Sequence, residues 1–204
     1  MLFLETLSPK TLELLRRIQS QTAFAETRLV GGAALALHLG HRTSIDLDLF
    51  GSWKPQPPLE LALASCAEKV VREGGEERLQ FFTVDDVKID CVSYPYPWLE
   101  PAVELAGIRL ASLKDIAAMK IAAITNRGTK KDFVDIYFLL NVFSLRQILE
   151  FYSAKYADSN LFMVLRSLVY FEDAEELPMP KMLKAAEWGA VKERIKSEVQ
   201  RLSL

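Results

Sequence analysis

A glycine pair ending one short apolar run, and two aspartates separated by a single leucine in the next, constrain this chain more than any other feature. Arg28-Leu29-Val30 reads as a brief strand stopped by Gly31-Gly32. Ala33 to Leu39 then has the alanine and leucine content of a helix, and Gly40 stands where such a helix ends. The run Arg42-Thr43-Ser44-Ile45-Asp46-Leu47-Asp48-Leu49-Phe50-Gly51 follows at once. In an extended segment alternate side chains share a face, so Ile45, Leu47 and Leu49 are expected in the core, with Asp46 and Asp48 together on the other side. Two carboxylates about 4 Å apart repel by roughly 4 kcal/mol at an effective dielectric near 20, and a divalent cation between them relieves that repulsion. An edge strand with a wet acidic face is the plainer alternative.

The bulk properties narrow the setting. A chain of 204 residues, half of them hydrophobic, can bury a sizeable core as one domain or as two lobes sharing it. A formal charge of -2 gives no global attraction for nucleic acid or an anionic membrane, so a polyanionic partner would need a local patch. Cys66 and Cys91 share no close spacing with each other or with His38 and His41, which argues against a zinc site or a disulfide framework. Glu5 stands where a signal peptide would be basic, and no apolar run approaches the ~20 residues of a membrane span. A cytoplasmic protein with no membrane partner is expected.

The coarse pattern is α+β. Ser8-Pro9 opens a helix to about Gln21, Pro55, Pro57 and Pro58 mark a loop, and residues 59–72 read as a helix ended by Gly74-Gly75. Residues 78–84 and 87–93 read as a hairpin around Asp85-Asp86, with Val87, Ile89 and Cys91 on one face and Lys88, Asp90 and Val92 on the other. From Ser112 the chain turns helical: capping patterns at Ser112 and Thr129 open helices to about Asn126 and Val142. Residues 144–156 and 158–171 continue the series, and an amphipathic segment through Trp188, Ile195 and Leu202 closes it. The expected architecture is a small mixed sheet with flanking helices over residues 1–110, followed by a helical lobe over residues 111–204.

Several residues in this frame are suited to phosphate chemistry. Gly31-Gly32 lets a ligand approach the backbone, and the helix N-terminus behind it offers free N–H groups and partial positive charge. Asp46 and Asp48 would hold a metal, and Asp90, a charge set mid-strand among apolar neighbours, is the candidate third ligand or proton acceptor. A surface-facing position explains Asp90 equally simply. Lys120 falls within about 40° of Leu113, Ile116 and Ile124 on a helical wheel, inside the apolar stripe. Either its ammonium meets an anion, or its stem lies on the core with the charge in water. Arg42, two residues before Ser44, has a fork able to hold a phosphate or brace the aspartates. Arg127, Lys130 and Lys131 form a basic cluster that an RNA would suit, though such runs are commonly solvated faces. Tyr94, Tyr96 and Trp98, spaced by prolines, would stack on a base or pack a loop. His38 and His41 read as structural.

Val30-Gly31-Gly32, Leu35, and Gly40-His41-Arg42-Thr43-Ser44-Ile45-Asp46-Leu47-Asp48-Leu49-Phe50 together resemble the signature of the AbiEii/AbiGii toxin family of nucleotidyltransferases, within the DNA polymerase β-like superfamily. A second block, Lys120 to Ala123 through Arg127 to Lys131-Asp132-Phe133-Val134-Asp135-Ile136-Tyr137, is similar to that family's later motif. The resemblance implies a nucleotidyltransferase fold and a magnesium or manganese ion on Asp46, Asp48 and Asp90. It places the nucleoside triphosphate at Gly31, Gly32, Arg42, Ser44 and Lys120, with Lys120 and Asp132 as further active-site residues. It also implies a toxin paired with an antitoxin protein, transferring a nucleoside monophosphate to RNA (tRNA) or protein. Asp132 has a second explanation as the acid at N3 of the Thr129 cap. Ala33 departs from the Ser or Thr frequent after the second glycine, which leaves any phosphate contact there to backbone N–H. A small-molecule acceptor, as in antibiotic-modifying relatives, and a non-catalytic nucleotide- or partner-binding module are the rival readings.

Overall fold

A computed structural model describes residues 2–52, 58–158 and 160–202. The expected loop prolines Pro55 and Pro57 lie outside the described residues. Among those described, seven strands form one mixed sheet: β1 (Thr27–Val30), β2 (Leu47–Gly51), β3 (Val70–Glu76), β4 (Leu79–Val84), β5 (Val87–Ser93), β6 (Val103–Leu105) and β7 (Ile108–Leu110), in the spatial order β3-β4-β5-β2-β1-β7-β6. Helices α1 (Pro9–Gln19), α2 (Gly31–Leu39) and α3 (Leu59–Ala64) are interleaved with the strands. Helices α4 (Leu113–Asn126), α5 (Lys130–Leu139), α6 (Leu145–Lys155), α7 (Leu161–Leu168), α8 (Glu172–Glu175) and α9 (Trp188–Leu202) follow the last strand.

Register explains which side chains meet. β2 runs antiparallel to β1 and parallel to β5, so Val30, Asp48 and Asp90 stand side by side across three strands, with Phe81 of β4 next to Asp90. The opposite face carries Leu29, Leu49 and Cys91 in one row and Leu47, Ile89 and Phe82 in the next, all fully buried. The period of two thus puts the acids and the core on opposite faces of the sheet. One continuous apolar cluster joins this core to the helices beyond residue 110.

The alternation starts later than expected. Ile45 is 76% exposed rather than in the core, because extended pairing begins only at Leu47. The expected helix over 59–72 ends at Ala64. Val70 and Val71 instead begin β3, which pairs antiparallel with β4 through an irregularity between Arg72 and Gly74. Cross-strand pairing of β-branched residues overrides the helical pattern there. A further hairpin, β6–β7, stands outside the expected pattern. Helix α5 stops at Leu139 and α7 covers only Leu161–Leu168, both shorter than expected.

Helix α4 is the bridge between the sheet and the later helices, packing against α2, α5, α6 and α7. Its cap, Ser112, accepts the Asp115 N–H at 3.1 Å. Asp115, fully buried, accepts from the Leu99 N–H at 2.9 Å, the Ser112 hydroxyl at 2.7 Å and the Lys155 ammonium at 2.7 Å. Lys155 also donates to the Pro97 carbonyl at 2.7 Å and lies over the Tyr94 and Trp98 rings. One ion pair therefore ties α6, the start of α4 and the 97–100 segment together.

Removing one partner of a buried pair strands the other charge. Asp115→Ala should cost about 3–5 kcal/mol and lower Tm by roughly 10 °C in thermal unfolding followed by circular dichroism. Asp115→Ala with Lys155→Met should recover much of the loss, and a wild-type Tm in the single variant would contradict the assignment.

Candidate active site

The acidic row of the sheet faces α4 across a cleft of about 410 Å³. One end is polar, with Gly31, Asp48, Asp90, Lys120 and Arg127, and the other is apolar and aromatic, with Phe50, Leu79, Val92, Met119, Tyr94 and Tyr156. Gly31 opens α2 with φ +66, a conformation that favours glycine. A Cβ there would come within 2.0 Å of the Asp48 carboxylate, so the glycine is what lets that acid reach the helix N-terminus.

Burial, reinforced by the neighbouring Asp90 charge, pushes the Asp48 carboxyl up to about 6. Burial also raises Asp90, opposed by Lys88 at 3.8 Å and assisted by Asp46. The Asp90 Oδ1 atom is buried without a hydrogen-bond partner. Two adjacent carboxylates that repel, one with an unsatisfied oxygen, are hard donors that suit a divalent cation. Among the described residues no three His, Cys, Asp or Glu side chains stand close enough together to hold a metal ion. Asp48 and Asp90 form the pair, whereas Asp46 lies just ahead of β2 and acts on both only through its charge. Strand register aligns two of the three expected acids, Asp48 and Asp90, and Asp46 precedes the strand by one residue.

Lys120 is held from the other side. Its buried ammonium lies 2.9 Å from Asp132 Oδ1 and 2.6 Å from Asp135 Oδ2, so the anions it was expected to need are protein carboxylates. Arg42 likewise turns inward, where Nε and Nη2 bond the two oxygens of Asp135 at 2.7 and 2.9 Å and Nη1 donates to the Thr43 carbonyl. A Cβ at Gly32 would lie 2.4 Å from Arg42 Nη2, so the second glycine makes room for this guanidinium. His41 Nε2 donates to Asp135 at 2.9 Å, and burial lowers its pKa and keeps the ring neutral. Burial alone would raise Asp135, but Lys120 and Arg42 hold it well below the usual carboxylate range. Burial works the same way on Asp132, which Lys120, Arg127 at 3.2 Å and the Thr129 hydroxyl at 2.5 Å bring down to about 2. The Thr129 hydroxyl thus bonds a carboxylate and makes no cap bond to a helix N–H.

The remaining residues sort plainly. Ser44 donates its N–H to Thr6 and does not line the cleft. Lys130 is buried against Glu175 and Trp188, while Arg127 is 58% exposed at the cleft mouth. Tyr94 is packed, with its hydroxyl 2.8 Å from that of Tyr156, whereas Tyr96 is 46% exposed. Asp135, one turn from Asp132, and Tyr152 and Tyr156, the first on α6 and the second its extended C-cap, belong to the site without a local sequence signal of their own.

The chain is similar to known proteins in sequence and in fold. The family described as "Nucleotidyl transferase AbiEii toxin, Type IV TA system" matches residues 13–202. An uncharacterized protein of Aquifex aeolicus (strain VF5) is 34% identical over 172 residues, which cover 80% of this chain and 82% of that protein. The crystal structure of JHP933 from Helicobacter pylori superposes with a TM-score of 0.60 at 17% identity, over 96% of this chain and 93% of that one. The antibiotic-resistance factor ANT(2'')-Ia gives 0.55 at 16% identity, over 72% and 92%. These last two likenesses concern the fold.

The two groups of acids respond oppositely to pH. Asp48 has a folded-state pKa raised from 3.8 to about 6, so its ionisation opposes folding above that range and has no effect below pH 4. Asp48→Asn should therefore stabilise the fold at pH 8 by of order 2 kcal/mol, allowing for partial solvent access, with the Tm gain vanishing at pH 4. Asp132, lowered from 3.8 to about 2, contributes stability above pH 4 that is lost as pH falls toward 2. Circular-dichroism melts across pH 2–8 test both signs, and a Tm loss for Asp48→Asn at pH 8 would contradict the first.

Proposed function

Because this chain belongs to the AbiEii nucleotidyltransferase toxin family, we propose that it transfers a nucleoside monophosphate from a nucleoside triphosphate to a hydroxyl of an RNA (tRNA) or protein acceptor. We propose further that it is the toxin of a pair whose antitoxin is a separate protein. The observation that carries the reading is Asp48 beside Asp90 in strand register, at the glycine bend that opens α2.

The cleft's two ends suit the two ends of a nucleotide. Backbone N–H groups at the start of α2, with Arg127 at the mouth, would take the phosphates, and the wall of Phe50, Tyr94 and Tyr156 would take the base. Magnesium or manganese would be held by Asp48 and Asp90, with Asp46 drawn in from the preceding segment, and would neutralise the phosphates and polarise the α-phosphorus. Asp90 Oδ1, which has no hydrogen-bond partner among the described residues, would receive the acceptor hydroxyl's proton. As the acceptor oxygen bonds to the α-phosphorus, the bond to the β-phosphate breaks and pyrophosphate leaves. Lys120, Arg42, Asp132 and Asp135 do not touch the nucleotide in this scheme. They hold α4 and the glycine bend at a fixed separation.

Incubation with labelled nucleotides, a divalent cation, and total RNA or small alcohols tests the reading and separates the acceptor classes. Asp48→Asn and Asp46→Asn should each reduce metal-dependent transfer by a factor of about 10³ or more while the fold is kept. Magnesium should raise the Tm of the wild type and not of Asp48→Asn. Transfer retained in the double variant would refute the proposal.

A further inference from the structure

A second groove, of about 570 Å³, adjoins the cleft and shares Ala122, Asn126 and Tyr156 with it. Its walls are rings. Tyr96 meets Tyr156 edge-on with centroids 4.7 Å apart, and Tyr152 meets Tyr156 at 5.1 Å. Pro97, Thr125 and Asp158 complete much of the lining.

The charge inventory limits what fits there. The only cationic side chain lining the groove among the described residues is Lys155, and its ammonium is committed to Asp115 and the Pro97 carbonyl. A phosphate has no free cation inside it. An amino sugar with several ammonium groups would meet, among the described residues, one lining carboxylate, Asp158. A neutral flat ring, by contrast, finds tyrosine rings to pack on and the Asn126 amide for its edge, with the Thr125 hydroxyl, which donates to the Ile121 carbonyl at 2.9 Å, left as an acceptor. Cations lie outside, around Asp90: Arg127, which lines the cleft and pairs with Asp132 at 3.2 Å, and Lys88, 3.8 Å from Asp90, are 58% and 57% exposed, and both act on the charge of Asp90, as does Lys131. A ring slot beside a cationic rim is the pairing that single-stranded nucleic acid requires, bases stacked and backbone neutralised.

We propose that this tyrosine groove is the acceptor subsite and that it holds an unpaired nucleobase of an RNA strand whose hydroxyl reaches Asp90 in the adjoining cleft. The proposal rests on the nucleotidyl-transfer reading and adds the acceptor's chemistry to it. Tyr96 is the residue to perturb, because it is half-exposed and lies outside the buried core, its ring resting on those of Tyr94 and Tyr156.

The test is fluorescence anisotropy with a labelled single-stranded RNA of about eight nucleotides titrated with the full chain, without nucleotide. Wild type, Tyr96→Ala, Tyr96→Trp and Asp158→Asn are compared. Tyr96→Ala should weaken RNA binding about tenfold or more, Tyr96→Trp should restore it, and Asp158→Asn should not weaken it. Nucleoside triphosphate affinity, measured by calorimetry, should be unchanged in Tyr96→Ala. RNA binding that is absent in wild type or indifferent to Tyr96→Ala would overturn the proposal. So would an equal loss of triphosphate affinity, which would make the groove the donor's base site, or transfer to an amino sugar that Asp158→Asn abolishes. Binding is read without turnover, so RNA that binds through Tyr96 but receives no nucleotide would sink the reaction and leave the subsite standing.

Discussion

One fully buried carboxylate, Asp135, organises the polar interior of this protein. It accepts the fork of Arg42, the ammonium of Lys120 and the ring N–H of His41, which come from the α2–β2 connection and from α4, while Asp135 itself sits on α5. Burying charges costs several kcal/mol each unless the geometry satisfies them, and here every Asp135 oxygen is bonded. The connection is braced again from the C-terminal side, where the Thr43 N–H donates to Lys181 and the Leu183 and Lys184 N–H groups donate to His41. The glycine bend and α4 thereby face each other at a separation that neither element could set alone.

Across that gap lies an interaction of the opposite kind. Burial raises both Asp48 and Asp90, the Asp90 charge raises Asp48 further, and one Asp90 oxygen has no partner, so this pair opposes folding where the Asp135 network favours it. A strained acidic pair kept in place by a satisfied ionic scaffold is the physical form that pre-organisation takes in a cleft for phosphoryl transfer. Gly31 and Gly32 belong one to each side of this arrangement: the first clears space for Asp48, the second for Arg42.

The sequence was most legible where one rule dominated. Period-two patterning identified the buried face of β5 and the outward Asp90, capping at Ser112 located α4, and the motif spacing pointed to the family. It was least legible where tertiary partners decided the outcome. Nothing local distinguishes Val70-Val71 as an edge strand from the end of a helix, because β4 supplies the preference. Lys120 and Arg42 were recognised as cations needing anions, yet which anions depended on α5 packing beside α4. Asp135 was visible only as a neighbour of Asp132, and the groove tyrosines come from the 94–96 segment and from α6 with the residue that caps it, some 60 positions apart. Asp46 stands one residue ahead of the paired stretch of β2, so the alternation does not by itself fix its side chain beside Asp48.

Anomalous diffraction from a crystal soaked with manganese and a non-hydrolysable nucleoside triphosphate tests the central claim most directly. The account predicts a manganese peak shared by the Asp48 and Asp90 carboxylates, with the phosphates against the α2 N-terminus at Gly31. A nucleotide bound elsewhere, or no ion between those two side chains, would contradict it.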